Sequence, residues 1–148
     1  MTFDESCIFC KIVTKQAPAS IIYEDETVMA FLDIRPLNEG HTLVIPKKHY
    51  VDIFDIPEDQ LSQVHTVAKQ VSTAVKKATN ADGISIIQQN DKAAGQDIFH
   101  FHVHIVPRFE GQKLPSFSDL RKVERVKLDN MAKKIKKHLK NLNSISYV

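Results

Sequence analysis

The chain has 148 residues, a net charge of +2 and 43% hydrophobic residues, which suits one domain with a real core and is too little for two comfortable ones. Charged residues make up 26%, with only 4 Gly and 6 Pro, a balance that excludes fibrous and disordered classes. Acidic Asp4 and Glu5 precede any basic residue, no signal-peptide core follows, and no run approaches the roughly 18 apolar residues of a membrane span, so a cytoplasmic location is expected.

In chain order, the first feature is the pair Cys7 and Cys10 in "CIFCKIV". Two cysteines are too few for a secreted disulfide framework, and C-x-x-C leaves three readings open: buried thiols, a redox pair, or half of a zinc site. The segments IIYED (21–25) and TVMAFLDI (27–34) are β-branched and aromatic runs separated by an acidic turn, which predicts a hairpin. Pro36 and Gly40 break the chain, and HTLVIP (41–46) predicts a third strand.

Pro57, Glu58 and Asp59 mark a helix start, because proline suits the first turn and the acids favour the positive end of the helix dipole. Leu61, Val64, Ala68, Val71, Val75 and Ala78 then form one apolar stripe that ends at Asn80 to Gly83. His65 falls beside that stripe and is read as a flank residue. ISIIQQN (84–90) predicts a fourth strand and FHFHVHIVP (99–107) an antiparallel fifth, across a polar loop. From about Leu120, residues Leu128, Met131, Ile135, Leu139 and Leu142 recur at helical spacing. The prediction is a single α+β domain over 1–148. It has an antiparallel sheet of about five strands, one long helix, and a basic C-terminal helical extension over 120–148. Residues 121–140 carry nine Lys or Arg against two acids, and a solvated helix face is the favoured explanation over a nucleic-acid surface. The partner of that helix is not legible.

The most informative stretch is GQDIFHFHVHIVPR (95–108). On a strand His100, His102 and His104 share one face and Phe101, Val103 and Ile105 the other, with same-face neighbours about 6.6 to 6.8 Å apart. Solvent-facing histidines, a transition-metal site and nucleophilic catalysis at phosphorus are the three readings.

H-F-H-V-H-I-V resembles the signature of the histidine triad family of nucleotide hydrolases and transferases. "CIFCKIV", "IIYEDETVMAFLDIRPLNEGHTLVIPKKHY" and "GQDIFHFHVHIVPR" follow the family's order and spacing, and the likeness is strongest to the small bacterial members of the Hint branch. The resemblance implies an α+β fold of the HIT type and hydrolysis of nucleoside 5′-monophosphate esters, phosphoramidates or related conjugates, with adenine preferred. Dinucleoside polyphosphate cleavage characterises the related Fhit branch. It implies His102 as a nucleophile forming a covalent nucleotidyl-histidine, His104 and Gln96 as phosphate and leaving-group contacts, and His41 bordering the site. It also implies Asp33 on the ribose hydroxyls, Asn90 in the pocket, and a homodimer with joined sheets. From bacterial relatives that retain both cysteines, the resemblance implies one structural zinc on Cys7, Cys10, His49 and His100, and no catalytic metal or organic cofactor is expected. Asp97 departs from the family pattern. Many relatives carry Ser or Thr there, and a carboxylate would repel a phosphate unless it turned away. The rival expectation is a nucleotide-binding sensor or scaffold with little turnover, acting through a protein partner.

Overall fold

The computed structural model describes residues 3–116 and 119–146, with side chains of the last helix described as far as Leu139. The elements are α1 (Ile8–Val13), β1 (Ile21–Glu24), β2 (Val28–Leu32), β3 (Thr42–Pro46), α2 (Glu58–Thr79), β4 (Gly83–Ile87), β5 (Val103–Arg108) and α3 (Arg125–Ser146). The five strands form one antiparallel sheet in the order β1-β2-β3-β5-β4. The chain thus has the expected α+β architecture.

β2 and β3 are buried at every position because helices cover both faces of the sheet. Val28, Ala30, Leu32, Val44, Val103 and Ile105 meet the predicted stripe of α2. Met29, Phe31, Leu43 and Ile45 meet Phe9, Cys10 and Ile12 of α1 on the opposite face. Pro57 is the N-cap of α2 rather than its first residue, and Asn80 closes the helix in the left-handed conformation (φ 57°). His65 is exposed, as a flank residue should be.

Two features were not foreseen and one expectation needs correction. The short α1 is a helix that no periodicity revealed. β5 begins at Val103, so of the three histidines only His104 lies in the strand. The preceding backbone is held elsewhere: the Phe101 N–H donates to the Tyr50 carbonyl (2.6 Å) and the His100 ring to the Pro46 carbonyl (2.8 Å). Finally, the expected C-terminal helix is present as α3, and its apolar stripe belongs to the main core. Leu128, Ala132, Ile135 and Leu139 are buried in the same cluster as α2, whereas the side chain of Leu142 lies outside the described residues. Ser20 Oγ donates to Asp129 Oδ1 (2.7 Å) and accepts from Arg125 (3.0 Å), tying the start of α3 to β1. Among the described residues, no helix is long and apolar enough to cross a membrane.

Candidate active site and metal cluster

Two glycines aim the candidate residues. Gly40 has φ +94° and no room for a Cβ, which would sit 2.6 Å from Thr79 Cγ2, so the β2–β3 loop packs closely on α2 just before the buried His41. Gly95 has φ +95° and would meet the Gln89 side chain at 2.6 Å, so the chain reverses there and buries Gln96. Asp33 follows directly on β2, with Oδ1 accepting from the Arg35 N–H (2.9 Å).

These elements surround a cavity of about 600 Å³, within the range of small-molecule sites. Phe9, Ile12, Phe31 and Leu43 form an apolar wall, while Asp33, His41, His102, His104 and Asp97 supply polar groups. The Phe9 ring stands edge-on to both Phe31 (5.4 Å between centroids) and His102 (5.2 Å).

Hydrogen bonds define the tautomers. His102 Nδ1 lies 2.7 Å from the His100 carbonyl, an acceptor only, so Nδ1 carries the proton and Nε2 keeps its lone pair. His41 Nδ1 accepts from the Leu37 N–H (3.0 Å), so its Nε2–H donates to His104 Nδ1 (2.9 Å). His104 is then left with an Nε2–H donor. The arrangement presents one imidazole as a base or nucleophile and its neighbour as a hydrogen-bond donor, with ring centroids 4.8 Å apart.

Burial keeps these rings neutral. It pulls His41 down to about 3, helped by the nearby His104 and His102, and His104 to about 4, with His102 adding to the effect. His102 is also lowered, chiefly by burial, against the opposing His100 carbonyl and the Asp97 charge. Burial pushes the Asp33 carboxyl up to about 6, and the Asp97 charge acts in the same direction.

On the other side of Phe9 lies a second cluster, Cys7, Cys10, His49 and His100, whose donor atoms all fall within 4.8 Å of one another. Cys7 Sγ is 3.4 Å from His100 Nδ1, and Cys10 Sγ is 3.3 Å from His49 Nδ1 and 3.6 Å from His100 Nδ1. A tetrahedral zinc with Zn–S of about 2.3 Å and Zn–N of about 2.0 to 2.1 Å places S and N about 3.6 Å apart, so these spacings suit a four-coordinate metal. The surroundings agree. His100 Nε2–H is taken by the Pro46 carbonyl, which turns the Nδ1 lone pair to the cluster, and Asp4 Oδ2 lies 4.0 Å from His49 Nε2. The Cys10 N–H points at Cys7 Sγ (3.3 Å) and the Asp4 N–H at Cys10 Sγ (3.5 Å), both suited to thiolates. Without a cation, burial pushes the Cys10 thiol up to about 11, so a bound cation is what would hold it as thiolate.

The structure therefore brings His102, His104, His41 and Asp33 to one cavity and gathers Cys7, Cys10, His49 and His100 in another place. It does not bring Gln96 or Asn90 to the cavity wall. The Gln96 side chain is fully engaged with Asp91 N–H, the Val51 carbonyl and the Ile98 carbonyl, and Asn90 bonds Gln88 and the Ile53 N–H. Sequence reasoning missed the apolar wall, whose signal was the spacing of Phe9 and Ile12 within "CIFCKIV". It also missed Lys122 and Arg125, which border the cavity because the Val123 N–H bonds the Ile34 carbonyl (2.8 Å).

A central antiparallel sheet backed by two long helices, with a histidine-lined cavity on its other face, defines a histidine triad type of protein. The chain belongs to the HIT domain family, whose model matches residues 14–111. It is 44% identical over 131 residues to an uncharacterized HIT-like protein of Methanocaldococcus jannaschii, covering 88% of this chain and 98% of that one. It is 37% identical over 145 residues to adenylylsulfatase HINT3 of Arabidopsis thaliana, covering 95% and 73%. A Zn-bound histidine triad family protein from Mycobacterium smegmatis superposes with a TM-score of 0.84 at 42% identity, covering 95% of this chain and 97% of that one.

Proposed function

We propose that the protein is a nucleotide hydrolase that cleaves nucleoside 5′-monophosphates, preferably AMP, from esters, phosphoramidates or related conjugates through a covalent intermediate on His102. One observation carries this reading: the His100 carbonyl occupies His102 Nδ1–H at 2.7 Å, which leaves the Nε2 lone pair free beside a cavity large enough for a nucleotide. The base packs against Phe9, Ile12, Phe31 and Leu43, and Asp33 receives the ribose hydroxyls. His102 Nε2 forms a bond to the α-phosphorus while the bond to the leaving group breaks, its electron pair departing on that group. An amine leaving group takes up a solvent proton. Water then attacks phosphorus, the P–Nε2 bond breaks, its electron pair returns to His102, and a proton goes to solvent. His104 Nε2–H, oriented by His41, stabilises the phosphoryl oxygens. Gln96 and Asn90 are positioning residues that hold the 90–98 loop.

The Cys7, Cys10, His49 and His100 cluster holds one structural zinc, in keeping with the donor spacings and with the zinc in the mycobacterial relative. Zinc contributes folding energy there, and the phosphorus chemistry needs no metal. A homodimer joined along β4, which ends the sheet and carries the exposed Ile86, would pair that edge. The shared core of α2 and α3 supports one domain over 1–148, and we assign it to the cytoplasm.

The test is rapid acid quenching of a reaction with an adenosine phosphoramidate, followed by mass spectrometry. An adenylyl adduct on His102, absent from His102→Ala along with turnover, is the expected result. Undiminished turnover by His102→Ala would exclude the mechanism, and negligible turnover by the wild type would favour a nucleotide sensor.

A further inference from the structure

Asp97 is the least ordinary residue at this site. Its Oδ1 lies 3.9 Å from His102 Nε2, the nitrogen left free for attack, although its side chain is 79% exposed. Its main chain is held firmly, because the adjoining Gln96 side chain is buried and bonded to Asp91, Val51 and Ile98. Among the described residues, no Lys or Arg ion pair neutralises the carboxylate, and His102 is the one basic group within 4.0 Å of it. Asp97 borders the same cavity as His104 and Asp33, and its charge helps to raise Asp33. A carboxylate on an anchored main chain, with no Lys or Arg ion pair among the described residues, therefore borders the reaction cavity beside the nitrogen that would attack phosphorus.

We propose that Asp97 is a specificity-determining residue that selects leaving groups bearing N–H, amines above all, and disfavours oxyanion leaving groups such as sulfate or phosphate. The proposal rests on His102 being the nucleophile. The chemistry differs sharply between the two classes. When a P–N bond breaks, the electron pair goes to nitrogen, which gains a proton and positive character as it departs, and a carboxylate accepts a hydrogen bond from that N–H. When a P–O bond to sulfate or phosphate breaks, the departing oxygen gains negative charge and carries no hydrogen. The same carboxylate then raises the barrier through repulsion.

The experiment measures kcat/KM for two substrates, an N-alkyl phosphoramidate of AMP and adenylyl sulfate, with the wild type, Asp97→Asn and Asp97→Ser. The wild type should favour the amidate. Both variants should lose about tenfold on the amidate and gain about tenfold on adenylyl sulfate, shifting the ratio about a hundredfold, equivalent to about 2.7 kcal/mol. A ratio unchanged within about threefold overturns the proposal, and so does an equal fall on both substrates, which would give Asp97 a merely structural role. Failure of the underlying reading looks different: the wild type would then form no His102 adduct with either substrate.

Discussion

His100 and His102 are two residues apart, both buried, and both ring-to-ring neighbours of Phe9, yet one joins the Cys/His cluster and the other lines the cavity. The difference lies in which nitrogen a backbone carbonyl occupies. At His100 the Pro46 carbonyl takes Nε2–H and leaves Nδ1 to the thiols, whereas at His102 the His100 carbonyl takes Nδ1–H and leaves Nε2 to the cavity. The hydrogen-bond partner thus decides which ring nitrogen keeps its lone pair, Nδ1 toward the thiols at His100 and Nε2 toward the cavity at His102. Phe9 packs against both rings, so the Cys/His cluster and the histidine-lined cavity share one wall.

The sharpest way to break this contrast is to remove each ring. His102→Ala should lower kcat for phosphoramidate hydrolysis by roughly 10⁴ or more while AMP still binds, as calorimetric titration would show. His100→Ala should instead cost metal and stability. Cys10→Ala belongs with it: zinc content measured by plasma mass spectrometry should fall to near zero, with a loss of about 3 kcal/mol or more in urea unfolding. If Cys10→Ala retained full metal and stability, the two regions would not differ as argued.

The shared wall predicts an intermediate effect. Phe9→Leu should raise KM about tenfold with kcat little changed, since it thins the base-facing surface without touching His102. An unchanged KM would separate the two regions.

Acid should act on both regions. His41 and His104 are held near 3 and 4 in the fold, so between pH 6.5 and 4 the unfolded chain binds protons that the folded chain refuses, and stability falls as pH falls through that window. Asp33, raised to about 6, works the other way between about pH 6 and 4, because its folded carboxyl takes the proton first. The two histidines outweigh the one carboxyl and the lowered His102 adds to them, so the net loss from pH 7.5 to 5 should be at least about 2 kcal/mol by urea titration. In turnover, the acid limb of kcat/KM should lie below the ordinary imidazole value of about 6.5, since burial lowers His102. The smallest effect belongs to Asp129→Ala, about 1 kcal/mol from the lost Ser20 bond.

Much of this was legible in the residues. The α2 stripe, the hairpin and the four-residue His/Cys set all lie where spacing and resemblance put them. What escaped were features set by contacts distant in sequence. A helix of six residues is shorter than the window over which helical periodicity can be read, so the Phe9 and Ile12 spacing was too brief to reveal α1 and its apolar wall. The period-two histidine pattern overstated β5, because the bonds to Tyr50 and Pro46 draw residues 100–101 out of the ladder. Gln96 and Asn90 read as pocket residues from their motif, yet their side chains are spent on the 90–98 loop and its neighbours. The sequence showed the apolar stripe of α3 but not that it completes the core.

That last feature bears on biosynthesis. Residues 28–32 and 42–46 are translated early, but the surface that β1 and β2 turn toward the helices stays open until Leu128, Ile135 and Leu139 have left the ribosome. A nascent chain stalled near residue 120 should therefore expose a sticky apolar sheet and require chaperone protection. A protein shortened at that point should accumulate as aggregate rather than as a smaller working enzyme.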